Sequence, residues 1–288
     1  MTRRAAGSNQ YRTRYRRKSD PDSLDANLDL LEQQYRTIGE EMAFQETLYQ
    51  MRQDPDPSPI EYYLDKMDSK LVRAYLAGHP DCPLPLLDEL SQDVEMEVRA
   101  QALAHPQCPR GAMWRVLDQR QDLSEATAVA RNPRCPDQLL HRLAMDLPQL
   151  SLRQAVLQNP NCSAHTVIEL TRAQDARAAS LALRHPKLPV SVIRRMWTGA
   201  LPDRRSMLVS NPDRRAAVAG NPSCPQDLVR IAAIDSWELV RMGAADNPNC
   251  PPDVLVQLLA DESESVRDRA LLNPNLPEEY RALHRSVQ

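Results

Sequence analysis

Six cysteines are the most reactive side chains in this chain of 288 residues: Cys82, Cys108, Cys135, Cys162, Cys224 and Cys250. Thiolates at C-x2-C spacing would gather around a metal, and thiols close in space would pair as disulfides. Neither pattern is present. The steps between them are 26, 27, 27, 62 and 26 residues, and all six hold the same place in a recurring motif. Leu188 and Leu276 fill that place in two other copies, so the position asks for a compact apolar body, which a free thiol supplies. Helical layers stacked about 10 Å apart would keep successive thiols beyond disulfide reach. The expectation is buried thiols, with no metal and no cofactor, in a reducing compartment.

Arginine forms a second series. Arg73, Arg99, Arg153, Arg205, Arg215, Arg241 and Arg267 each stand six residues before a copy of the motif, and the series fails at Ala126 and Ala179. A stripe of guanidinium groups allows two readings. It is either paired with acidic residues of its own or neighbouring layers, or it is a groove for an acidic or phosphate-bearing ligand, onto which Arg forks. His79, His105 and His185 replace Asn at the start of the motif, where a side chain bonds local backbone. His141, His165 and His284 stand isolated in the sequence, and no Ser/His/Asp or Cys/His arrangement can be built on them. Trp114, Trp197 and Trp237 fall on helices, where a core role is expected; an exposed one would be a binding hot spot.

What must position these residues is a repeat. The five residues from Asn247 to Pro251 recur from His79, His105, Asn132, Asn159, His185, Asn221 and Asn273; successive starts are 26, 27, 27, 26, 36, 26 and 26 apart. A fixed period of this size marks stacked repeats. Three, four and seven residues beyond the closing Pro the chain is apolar, as at Leu86, Leu87 and Leu90, or Val254, Leu255 and Leu258. That is one face of a short helix started by Pro. Asp93, Asp146, Asp235 and Asp261 then fit the cap of a second helix, which runs to the next junction. About eight such units are expected over 54–276. The long step contains the second-helix pattern twice, at Arg204–Pro212 and Arg214–Pro222, which predicts a change of curvature.

The flanks differ. Residues 1–23 are a basic tail expected to be disordered: the first 19 hold seven Lys or Arg and no acid, with Tyr11 and Tyr15 interleaved. Taking those seven from 36 leaves 29 basic against 39 acidic side chains, so the remainder carries −10. Residues 24–53 read as an amphipathic helix, with Leu24, Leu28, Leu31, Tyr35, Ile38 and Met42 on one seam; it would cap the stack or make an oligomer through 24–52. Residues 277–288 form a C-terminal cap. No run of about 20 apolar residues exists to span a membrane, and the basic head lacks the apolar core of a secretory signal, so a soluble cytoplasmic protein is expected. Pro occurs 24 times, above the usual share of about 5%, mostly as junction punctuation.

The pattern Val-Arg-x-x-x-Ala-x-Asn-Pro-x-Cys-Pro-x-x-Leu-Leu-x-x-Leu, carried by Val240 to Leu258 and again from Val266 to Pro277, resembles the leucine-rich repeat variant family. The resemblance covers about 220 residues. It implies a right-handed all-α helical solenoid of alternating α- and 3₁₀-helices. The period here is 26–27, where the family's is nearer 24, and no Cys precedes Cys82 to form the N-terminal 4Fe–4S cluster of some members. The function expected is a non-catalytic scaffold presenting a concave helical-repeat surface to a protein partner. The alternative is a nucleic-acid-binding protein using the Arg ladder and the basic arm, which the net charge of the body opposes. An enzyme acting on DNA is a distant third, since some DNA glycosylases are built from helical repeats.

Overall fold

Each junction proline dictates both the end of one helix and the start of the next. The computed structural model describes residues 63–64, 66–119, 122–198 and 211–287. Among these the chain is all-helical, with sixteen α-helices and no strand. They are α1 (Lys70–Gly78), α2 (Leu84–Leu90), α3 (Met96–Ala104), α4 (Arg110–Gln119), α5 (Leu123–Arg131), α6 (Asp137–Asp146), α7 (Leu150–Gln158), α8 (Ala164–Leu170), α9 (Ala176–Leu183), α10 (Val190–Trp197), α11 (Pro212–Ala219), α12 (Gln226–Ala232), α13 (Glu238–Asp246), α14 (Pro252–Leu258), α15 (Glu264–Leu272) and α16 (Glu278–Val287). The basic tail, the helix expected over 24–53, Arg205 and the first copy of the doubled pattern lie outside the described residues, and so does the curvature expected there.

A residue before Pro is pushed out of the α region. His79, His105, Asn132, Asn159, Asn247 and Asn273 accordingly cap their helices in extended backbone, with φ from −73° to −62° and ψ from 122° to 133°. A tight turn follows: the N–H of each Cys, or of Leu188 and Leu276, donates to the carbonyl of the junction His or Asn at 2.9–3.1 Å. The next Pro or Ser is the N-cap of a short helix, as at Pro83, Ser163, Pro189, Pro225 and Pro251. The short helices close with i→i−4 bonds such as Leu87 N–H to Pro83 O at 2.9 Å. They are therefore α-helices, where the family resemblance implies 3₁₀. Pro at the N-cap leaves its carbonyl free to accept the first α-type bond, and i→i−3 bonds appear only at the ends.

The chain divides into two compact units between Leu139 and Leu140 of α6. In the first, α3 packs between α1 and α5, and α2 lies against α1 and α3. In the second, the longer helices α7, α9, α11, α13 and α15 pack each on the next, with α8, α12 and α14 beside them. The expected apolar triplets are all buried: Leu86, Leu87 and Leu90; Leu139, Leu140 and Leu143; Val192, Ile193 and Met196; Val254, Leu255 and Leu258. Small residues bring α11 and α13 close. A Cβ added at Gly243 would sit 2.3 Å from the Ala216 carbonyl oxygen, so backbone, not a movable side chain, forbids it.

The polar column holds the layers of each unit in register. Asn132 Nδ2 donates to Leu103 O (2.8 Å) and His105 O (2.7 Å) of the preceding layer. Asn221 does the same to Leu183 O and His185 O, Asn247 to Ala219 O and Asn221 O, and Asn273 to Ala245 O and Asn247 O. Each Oδ1 accepts the N–H two residues on, as from Asn249 at 2.8 Å. One buried amide thus satisfies three backbone groups.

Two predictions follow from this packing. Asn247→Ala strands two buried carbonyls and one N–H and should cost about 2–3 kcal/mol. Asn247→His keeps one donor and one acceptor and should fall between Ala and the native residue, as read by urea denaturation. Gly243→Ala should destabilise by about 1–3 kcal/mol or more through overpacking, seen as a lowered Tm. A neutral effect would mean the two helices separate at no cost.

Candidate functional site

The arginine side chains turn toward their neighbours. In unit one Arg73 forks onto Asp93, Nε to Oδ2 at 2.7 Å and Nη2 to Oδ1 at 3.2 Å, while its Nη1 donates to the carbonyls of Met67 and Asp68. Buried Arg99 bonds Glu125 (Nε to Oε1, 2.7 Å) and the carbonyls of Asp93 and Val94. In unit two Arg241 forks onto Asp261 at 2.8 and 3.0 Å, reaches Glu262, and donates to Asp235 O and Ser236 O. Arg215 reaches Asp235 (3.1 Å), Arg153 bonds Ala144 O, and Arg267 bonds Asp261 O and Glu262 O. One Arg therefore ties its own preceding turn to the acid of the next layer. At Asp261, burial works against ionisation, but the Arg241 fork, the Ser263 N–H and the nearby Arg charges outweigh it and hold the carboxyl below its ordinary value.

The aspartates are not the caps the sequence suggests: Asp146 ends α6, three residues before N-cap Gln149, and the other three stand two residues before their N-caps. Asp93, Asp235 and Asp261 accept the N–H of Glu95, Trp237 and Ser263, and those residues are the N-caps. The carboxylate is drawn two residues back because it also faces Arg, the oxygen that accepts the N–H accepting from Arg as well. Asp122 and Asp175 are themselves N-caps, accepting helix N–H groups directly.

All six cysteines are buried thiols outside any disulfide, each Sγ 3.7–3.9 Å from the carbonyl oxygen of the following residue. Burial pushes five of the thiols up to about 12 and Cys162 up to about 11. A thiol held so high is protonated at neutral pH and is a poor nucleophile or ligand. A cleft of about 150 Å³ lies among Ser91, Arg99, Arg115, Val116 and Glu125. It is smaller than a usual small-molecule site, and its charges are matched by Arg99–Glu125 and Arg115–Asp88.

Trp237 departs from the core role expected of it. It is 56% exposed, and within six residues of it in the chain Ile231 is at 50%, Ile234 at 69% and Leu239 at 40%, whereas Trp114 and Trp197 are half-buried. The corresponding N-caps are Glu95, Gln149 and Ser263, and Ile234 stands where Gln92 and Ala260 stand in other layers. Apolar residues in columns otherwise polar or small were the available signal. The surface also carries ion pairs between successive short helices that the sequence reading did not find: Arg194 onto Asp227 (2.7 and 2.9 Å) and Arg230 onto Asp253. His141 and His165, isolated in sequence, are neighbours in space, with ring centroids 4.8 Å apart. No helix among the described residues is long and apolar enough to cross a membrane.

The junction histidines imitate Asn with one tautomer. His185 Nδ1 accepts from Lys187 N–H (3.1 Å), so Nε2 carries the proton toward Leu157 O (2.8 Å). Burial holds its pKa below 6.5 and the Lys187 charge adds to that, against the bond to Leu157 O. A lowered folded value means the unfolded chain takes up the proton first on acidification. The contribution of His185 is complete above about pH 6.5 and is lost as pH falls below it. His185→Asn should flatten the fall in urea midpoint between pH 7.5 and 5.5; an unchanged slope would mean that other groups carry it.

No family model and no curated protein matches this chain. Among solved structures, the crystal structure of an engineered protein aligns with 92% of this chain and 87% of its own, at 14% identity and a TM-score of 0.29, too low to bear on the fold.

Proposed function

We propose that this chain is a non-catalytic protein-interaction scaffold, a right-handed helical solenoid of the leucine-rich repeat variant kind that offers its surface to a protein partner in the cytoplasm. The observation that carries the reading is the exposure of Ile231, Ile234, Trp237 and Leu239, from the end of α12 through the turn to the start of α13. An apolar surface centred on Trp is the commonest kind of binding hot spot. Exposed Glu238 beside it favours a partner surface that is apolar with a basic rim. Six buried thiols outside any disulfide fit a reducing compartment. The alternative, nucleic-acid binding through the Arg ladder, draws on guanidinium groups that already bond carboxylates and carbonyls; the basic arm it also needs lies outside the described residues.

The test is affinity purification of the full chain beside Trp237→Ala and a surface control in the first unit, Val94→Glu, with bound protein and nucleic acid both identified. A protein partner recovered with the native chain and the control should bind Trp237→Ala about 30-fold more weakly, the effect of a hot spot worth about 2 kcal/mol. Equal binding of all three removes the patch from the reading. Salt-sensitive retention of DNA or RNA instead of protein would favour the alternative.

A further inference from the structure

We propose that His141 and His165 form a surface site for a divalent transition-metal ion of the zinc, nickel or copper class. The rings come from α6 and α8 of the second unit, with centroids 4.8 Å apart and planes 31° from parallel. The place they occupy carries an ion pair at two other steps of the array. The fifth residue after the junction Pro on one short helix meets the second residue after the corresponding Pro or Ser on the next. That step is Arg194 with Asp227, and again Arg230 with Asp253, each a two-pronged ion pair. At His141 and His165 the opposite charges are gone. Two imidazoles bring no opposite charges together, so the pair adds no ionic tie between the helices.

What two adjacent imidazoles do share is the capacity to direct lone pairs at one cation. A metal–nitrogen bond of about 2.0–2.1 Å puts a ring centroid about 3.2 Å from the ion, and two rings at about 90–109° around it have centroids about 4.5–5.2 Å apart. The observed 4.8 Å falls inside that interval. One ring is already oriented: His141 Nδ1 lies 3.2 Å from Thr166 Oγ1, and that buried hydroxyl is 3.1 Å from Ser163 Oγ. With Thr166 donating to Ser163, Nδ1–H of His141 donates to Thr166, and Nε2 keeps the lone pair. Such a bond fixes both the ring and the tautomer of a metal-binding histidine. His141 is half-buried and His165 exposed, so an ion can reach them.

No group of three or more His, Cys, Asp or Glu is placed to hold a metal among the described residues. Water therefore completes the coordination, and the site is open and exchangeable. Glu169, one turn on from His165, is held by Arg172. Imidazole favours zinc, nickel and copper, while magnesium prefers oxygen donors.

The experiment is calorimetric titration of the untagged full chain with Zn²⁺ or Ni²⁺ alone, at pH 7.5, and with Mg²⁺ as contrast. One equivalent of Zn²⁺ or Ni²⁺ should bind. Either His141→Gln or His165→Gln should weaken it at least tenfold, while Arg194→Gln, in the equivalent ion-paired step, should leave it unchanged. Circular dichroism shows whether the variants fold; both positions are on the surface side of their helices, and His165→Gln replaces an exposed residue. Absence of binding to the native chain, equal binding of Mg²⁺, or binding unaffected by His165→Gln would each overturn the site.

Discussion

Each corner of the chain leaves backbone carbonyls pointing along the stack, where no water reaches them. One side chain per layer answers them. The amide of Asn247 bonds Ala219 O and Asn221 O, and Asn273 bonds Ala245 O and Asn247 O. These residues are buried, so an unmet carbonyl would cost free energy comparable to a lost hydrogen bond. The need is for two donors and one acceptor in a compact planar group, which describes Asn. His offers one donor and one acceptor and is admitted where it appears, at His105 and His185, with Nε2 on His79 O and Leu157 O. Pro after the junction residue fixes the backbone that aims this group. The cysteines then sit at the close of the same turn, where burial asks for small apolar bulk and silences the thiol.

Columns explain why regular positions are poor places to seek a binding activity. A side chain that recurs in every layer meets its counterpart's neighbours in every layer, and its groups are spent there. Arg241 uses its donors on Asp261, Glu262 and two carbonyls. The departures are where a surface has something left to offer. Trp237 stands in a column of polar N-caps, and His141 with His165 stand where two other steps hold an Arg and an Asp.

The helical class, the helix starts after Pro, the buried triplets and the junction residues were legible in the sequence, because local rules govern them. Pro blocks a donor and limits its predecessor, and 3.6-residue periodicity selects the buried face. The Arg ladder was legible as a ladder but not as a set of contacts. Knowing that Arg73 meets Asp93, 20 residues on, requires knowing how far one layer is displaced against the next. The same displacement hides the histidine pair. His141 and His165 are 24 apart, which is one period less three, and only the packing of α6 beside α8 gives that number a meaning. Trp237 was misjudged because helix membership was taken as burial, whereas it is an N-cap facing out.

The irregular step tests how far the amide column governs assembly. Between His185 and Asn221 the chain spends 36 residues where 26 is usual. Yet α9 still packs on α11, though less closely than α11 on α13, and Asn221 bonds Leu183 O and His185 O with the geometry that Asn247 uses one layer on. The surplus therefore costs the register nothing. Register is set by the corner and by the faces of the longer helices, and neither depends on how many residues join a short helix to the long one after it. Loop-closure entropy grows slowly with length, so such an insertion is thermodynamically mild. An array organised this way can lengthen its connections, or replace surface columns singly, without disturbing the bonds that hold it.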